Sequence, residues 1–166
     1  MTKAIKRIIT RQQNKTKKAL RLLIESNLIL QLQEPAIECR MTTNTRNYIK
    51  DFCTVKMSSS RRSGHTSSML SVALEMFAKP LFVTENTRMA ERLKEILMTD
   101  FNISKKNARC MVSTARDLRK LACPEEDAIF VDPSSMLTRN DEDDILGYAQ
   151  GCLPAKRDCF CLVFVG

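Results

Sequence analysis

The chain has 166 residues, of which 43% are hydrophobic and 28% charged, and a formal net charge of +8. That length suits one domain with a sizeable core, and the composition is that of a globular, soluble protein. No apolar run approaches the ~20 residues of a membrane span and no secretory signal pattern opens the sequence, so an intracellular protein with no membrane partner is expected.

Seven cysteines, Cys39, Cys53, Cys110, Cys123, Cys152, Cys159 and Cys161, are an odd number, and most sit in apolar, strand-like surroundings. They read as reduced core residues, not a disulfide framework. Cys152, Cys159 and Cys161 contain no C-x-x-C pair and the single histidine lies far from them in sequence, which argues against structural zinc. The charge is unevenly placed. Residues 1–66 hold 14 Lys/Arg against 4 Asp/Glu, and residues 67–166 hold 13 against 15. Such asymmetry points to a polyanion or an acidic protein as partner, and a solvated basic helix accounts for the same pattern.

From Lys3 to Leu32 the pattern is helical, with Ile5, Ile8 and Ile9, then Ala19, Leu22, Leu23 and Ile24, at helical spacing. A break around Asn14 divides it into two helices, and Pro35 ends it. Lys6, Arg7, Arg11, Lys15, Lys17, Lys18 and Arg21 cluster along the first part and form the candidate nucleic-acid or partner surface. With no aromatic residue among them, phosphate contact is the only nucleic-acid mode this segment offers. A basic amphipathic helix equally docks on a protein or covers a sheet. Met41–Lys50 is polar and reads as a connection or a weak first helical turn.

Phe52–Met57 is the first strand, and a loop of small and basic residues runs from Ser58 to Ser67. A helix follows to about Ala78. Leu81–Thr84, after Pro80, is the second strand, and Asn86 or Thr87 caps a helix over Arg88–Leu97. Ala108–Ser113 is the third strand, and Thr114 caps a helix over Ala115–Ala122. Asp127–Asp132, ended by Pro133, is the fourth. The acids Asp141, Glu142, Asp143 and Asp144 fall at the start of a helix that includes Ile145–Ala149, where the dipole favours them. Cys159–Val165 is the last strand. Strands apolar on both faces, alternating with helices, predict a three-layer α/β domain with a parallel sheet of about five strands over residues 50–166. Residues 1–40 form a basic helical N-terminal extension.

Strand, small-residue loop and helix around Ser58–Ser67 are the setting of a phosphate-binding P-loop, G-x-x-x-x-G-K-[ST]. Gly64 and Thr66 match it; Ser59 replaces the first glycine and His65 the lysine. The candidate phosphate-binding residues are Arg62, Ser63, Gly64, His65, Thr66 and Ser67. In such a loop backbone N–H groups and a helix N-terminus cradle phosphate, the lysine reaches the β- and γ-phosphates, and the hydroxyl binds Mg²⁺. A histidine is shorter than lysine and, with a reference pKa of ~6.5, largely neutral at pH 7. An ordinary strand–turn–helix, with Ser63 or Thr66 near the helix cap, accounts for the same residues.

The order of motifs from about residue 50 to 166 resembles the first RecA-like lobe of superfamily-two helicases and of phage terminase ATPases. The P-loop is followed by Leu81–Ala90, similar to the family's strand and T-x-x-x-A helix start. Met111–Arg116 is similar to its next strand with a terminal threonine. Ala128–Asp132 looks like the Walker B strand and Phe160–Val165 like the strand before the coupling motif. The resemblance implies a RecA-like fold, ATP and Mg²⁺ as cofactors, and Thr66 and Asp132 as metal ligands. Asp132 before a proline reads equally as a turn former. The departures all remove catalytic parts: His65 stands for the lysine, Pro133 stands where the Walker B glutamate belongs, and no second lobe supplies an arginine finger. An inactive interaction module is therefore expected, binding a protein or nucleic acid and acting on a helicase or packaging motor as a phage or mobile-element product would. Two alternatives stand beside it: a weak nucleotide-binding switch using His65, and a nucleic-acid-binding protein working through the basic arm.

Overall fold

The computed structural model describes residues 3–58, 64–121, 124–133, 136–153 and 159–166, with the side chains of residues 3–9 outside that description. In chain order the elements are α1 (Lys3–Gln31), α2 (Glu34–Thr42), α3 (Thr45–Tyr48) with a π-turn over Ile49–Cys53, β1 (Thr54–Met57), α4 (His65–Met76) and β2 (Pro80–Thr84). Then come α5 (Thr87–Thr99), α6 (Lys105–Met111), β3 (Val112–Thr114) with a 3₁₀ turn over Ala115–Lys120, β4 (Ala128–Val131), α7 (Arg139–Cys152) and β5 (Cys161–Val165).

The five strands form one sheet in the order β1-β5-β4-β2-β3, every pair parallel. Alternate residues of β2, β4 and β5 enter separate cores, as a pleated sheet covered on both faces requires. Phe82, Phe130, Val163 and Val165 point to the face covered by α1, α4, α5 and α6. Leu81, Val83, Ile129, Val131, Leu162 and Phe164 point to the face covered by α2, α3 and α7. This is a three-layer α/β fold, and among the described residues no helix is long and apolar enough to cross a membrane.

Several local expectations are corrected. The first helix does not break at Asn14: α1 is continuous over 29 residues, held by Leu20 and Ile24 buried on the sheet. Pro35 does not end a helix but starts one, in the first turn of α2, where its missing N–H costs nothing. Residues 105–111 are helical because Ser104 caps them, its hydroxyl accepting from Asn107 N, so the third strand shrinks to Val112–Thr114. Cys53, Cys152 and Cys161 are buried, Cys39 and Cys159 half-buried, and Cys110 is exposed on α6, not in the core. Burial pushes the Cys53 thiol up to about 12.

The acidic run does start a helix. Thr138 and Asp141 form a reciprocal cap on α7, the Asp141 carboxylate accepting from Thr138 N at 3.0 Å and from its hydroxyl at 2.6 Å, and Thr138 Oγ1 accepting from Asp141 N at 3.2 Å. The Thr138 hydroxyl, opposed by burial and helped by the Thr138 N–H and the Arg116 charge, holds the Asp141 carboxyl below its usual range. Its folded-state pKa thus lies below the unfolded ~3.9, so this stabilisation is complete above that value and is lost as pH falls through the folded value. Thr138→Ala is expected to cost about 1 kcal/mol at pH 7 in urea unfolding, and less below about pH 4. An equal loss at pH 3 would show that the carboxylate is not the stabilised group.

Candidate functional site

Parallel strands place all their carboxyl ends on one edge of the sheet, where α/β proteins bind ligands. β1 delivers Ser58 to that edge, Gly64 and the start of α4 lie there, and β4 delivers Asp132. β5 separates the two strands, so their ends stand about 10 Å apart at ordinary strand spacing. The first turn of α4 closes the gap, since α4 packs across β5 and β4.

At the start of α4 Gly64 adopts a left-handed backbone, φ +73°, which turns the chain into the helix. His65 and Thr66 then both face Asp132. Thr66 Oγ1 donates to Asp132 Oδ2 at 2.5 Å, and His65 Nε2 lies 3.1 Å from Asp132 Oδ1. Asp132 is 2% exposed and fixed by its own N–H, which donates to Val83 O at 3.1 Å; the following peptide to Pro133 is cis. With the carboxylate ionised, Nε2 carries the imidazole proton, and the buried Nδ1 is left without a partner among the described residues. Neither imidazole nitrogen serves the Thr66 hydroxyl, so the trio is not a nucleophile–base pair.

The structure therefore brings together three of the sequence candidates, His65, Thr66 and Asp132, with Gly64 beside them. Ser67 is exposed on the first turn of α4. Arg62 and Ser63 lie outside the described residues. Thr66 and Asp132 present the hydroxyl and carboxylate that a Mg²⁺ ion would take, but each carboxylate oxygen is already engaged within the chain. The histidine in the lysine position is turned onto the carboxylate.

Gln13 of α1 is a participant with no signal in the sequence, lying in the polar stretch Gln12–Asn14. Its side chain lies against Gly64, so that a Cβ there would sit 2.3 Å from Gln13 Cγ, and its carbonyl accepts from Ser68 Oγ at 3.2 Å. Of the basic candidates on α1, Lys17 pairs with Glu75 at 2.5 Å, and Arg21 pairs with Glu25 at 2.8 Å. These two charges are neutralised locally, whereas Arg11, Lys15 and Lys18 are exposed. The side chains of Lys6 and Arg7 lie outside the described residues. On the same edge a cleft of about 400 Å³ opens beyond β2 and β3. Arg116 and Lys120 there face Glu85, Asp117 and Asp141, a mixed field with no single-sign preference. Comparison with family models, with curated proteins and with solved structures finds no match.

Gly64→Ala is expected to lower stability by about 1–2 kcal/mol through the left-handed backbone, with the Gln13 overlap added. Gln13→Ala in that background should recover the overlap part and not the backbone part, read as non-additivity in thermal unfolding. Strictly additive changes would place Gln13 away from the loop.

Proposed function

We propose that this chain is a catalytically inactive, P-loop-like interaction module of RecA-like descent, which uses its fold to bind a protein or nucleic-acid partner and does not turn over nucleotide. The observation that carries the reading is the engagement of Asp132 by both His65 and Thr66. A phosphoryl-transfer site needs a cation aimed at the phosphates, an Mg²⁺ ligand set open to the metal and a carboxylate to orient water. Here the residue in the cation's position is hydrogen-bonded to the metal-binding carboxylate, and Pro133 follows it. The meeting of Thr66 with Asp132 across an intervening strand supports P-loop ancestry, since the two are 66 positions apart in sequence. The resemblance further supports a phage or mobile-element product that acts on a helicase or packaging motor.

Titration of the purified protein with Mg-ATP, beside Thr66→Ala, tests it. The expected result is no phosphate release and no binding tighter than about millimolar. Micromolar binding lost in Thr66→Ala, with turnover lost in Asp132→Ala, would overturn it in favour of a nucleotide switch.

One observation favours polyanion contact as a component of the binding. Gln13 touches the start of α4, while Asn27 and Gln31 bond to Phe52 O and Phe160 O at the amino ends of β1 and β5. Residues 13–31 of α1 thus span the sheet from edge to edge, ~27 Å at the helical rise. The turns before Gln13 continue for ~15 Å past the carboxyl edge, carrying Lys3, Lys6, Arg7 and Arg11 and no acid. Deleting residues 1–10 spares the buried Leu20 and is expected to leave the fold intact by circular dichroism. The same deletion should remove salt-dependent binding to a short DNA duplex. An unchanged salt slope would exclude the projecting turns as the contact.

A further inference from the structure

Arg11, Lys15 and Lys18 form one row on α1. All three are exposed, and none forms an ion pair among the described residues. Spacings of four and three residues keep them within a sector of ~60°, and at the helical rise they span ~10 Å along the axis. Leu20 and Ile24, buried on the sheet, fix the opposite side of the helix, ~140–160° away from the row on average. In the sequence the same spacing reaches back to Arg7, and no acid precedes Glu25. The two other cations of this stretch are placed differently. Lys17 is turned to α4 and paired with Glu75 at 2.5 Å, and Arg21 bonds Glu25 at 2.8 Å and lies 4.0 Å from Glu75. The fold thus neutralises the cations on the α4 side of α1 and leaves those on the outer side unopposed. Like charges three and four residues apart destabilise a helix, and no acid among the described residues pairs with this row.

The residues around the row identify what opposes it. Every residue from Thr10 to Lys18 is polar or basic. A protein partner needs an apolar centre from which water is excluded. A phosphate backbone needs only cations and hydrogen-bonding groups, which are what this stretch offers. Single strands are held by stacking on aromatic rings, and no aromatic residue precedes Tyr48. A duplex carries one charge per ~1.7 Å of its axis, so it presents phosphates along the whole row with no help from stacking. Because Leu20 and Ile24 hold the inner side of α1 on the sheet, only its outer side is free to meet a duplex. A helix held in this way does not sink into the major groove to read base edges, so the contact is with the backbone and is independent of sequence.

We propose that the outer row of Arg11, Lys15 and Lys18 lies along the phosphate backbone of a nucleic-acid duplex, continuing the contact of the projecting turns onto the body of the protein. The proposal rests on the polyanion reading above and gives the polyanion its class: double-stranded nucleic acid, held without base readout. The apolar side chains that follow from Leu22 take no part in it.

Binding of the full chain to a labelled DNA duplex of about 20 base pairs, measured against NaCl concentration, tests it. Lys15→Gln and Lys18→Gln should each make the slope of log K against log salt shallower by about 0.9, and should weaken binding several-fold at ~50 mM salt. Lys17→Gln removes the same charge from a neighbouring position and should leave the slope unchanged, since Glu75 already pairs that cation. Lys15 and Lys18 are exposed, so both variants should keep the wild-type circular dichroism spectrum and urea midpoint. Two duplexes of unrelated sequence should bind alike, and a single strand of equal length more weakly. An equal change of slope in Lys17→Gln overturns the proposal, because net charge alone then sets the binding. Slopes unchanged in both Lys15→Gln and Lys18→Gln, with binding lost on deletion of residues 1–10, overturn the row and confine the contact to the projecting turns, so that the polyanion reading stands without it. A tighter grip on the single strand overturns the duplex as partner. No duplex binding by the wild-type chain at ~50 mM salt overturns the row together with the polyanion component, and leaves the inactive-module reading to the Mg-ATP titration.

Discussion

The insertion of β5 between β1 and β4 is the constraint on which the rest of this structure depends. Among the described residues β1 has no other strand partner, and the backbone pairing Val55 with Val163 and Met57 with Val165 joins segments more than 100 residues apart. Until β5 is in place, the strand that delivers the loop is not part of the sheet that delivers Asp132. The pairing is non-local and parallel, so chain entropy is spent before the hydrogen bonds form. What offsets it is burial. All five residues of β5 are buried, and its alternating side chains fill the centre of both cores at once. The small Thr66–Asp132 contact on the edge is a consequence of that large apolar event, not its cause.

The layers follow from this arrangement. A parallel sheet must return each strand through a covering element, so both faces are occupied by helices and both carry apolar side chains. The returns place helix starts and loops on the carboxyl edge, where polar groups collect: Thr84, Thr114 and Asp132 end buried strands, and Asn86, Thr114 and Thr138 cap the elements that leave them. Each of these caps satisfies a backbone N–H at the start of an element. These polar side chains on the carboxyl edge are in this way already committed to holding the fold. Asp132 differs in that its carboxylate is held by side chains of the first turn of α4.

Much of this was legible in the sequence because burial on both faces leaves a strong trace. The runs Leu81–Thr84, Ala128–Val131 and Cys161–Val165 are apolar without alternation, and the structure makes each a strand buried along its length. Thr66 and Asp132 were paired in the sequence only through the resemblance to a RecA-like lobe, which implies both as ligands of one Mg²⁺ ion. The readings that failed did so for local reasons. Residues 105–111 carry Cys110 and Met111 near a real strand, and only the Ser104 cap decides for helix. Pro35 is a helix breaker or a helix starter depending on which side the helix lies. The turn of His65 toward Asp132 and the seat of Gln13 on Gly64 were not legible at all, since both depend on long-range packing that leaves no spacing in the chain.

α1 shows why one helix carries two kinds of signal. Its inward face is set by the sheet: Leu20 and Ile24 are buried, and Gln31 spans to the Phe160 backbone, both accepting and donating. Those contacts fix the rotation of the whole helix. Once that rotation is fixed, Leu22, Leu23, Ile29 and Leu30 have no core left to enter, and their exposure is a consequence of the sheet's demand on the opposite side. The same rigid rotation carries the basic first turns past the edge where the loop stands. A continuous helix therefore transmits one constraint, burial on the sheet, into two separate surfaces, one apolar and one basic. A helix broken at Asn14 would leave the basic turns free to reorient and would uncouple the two.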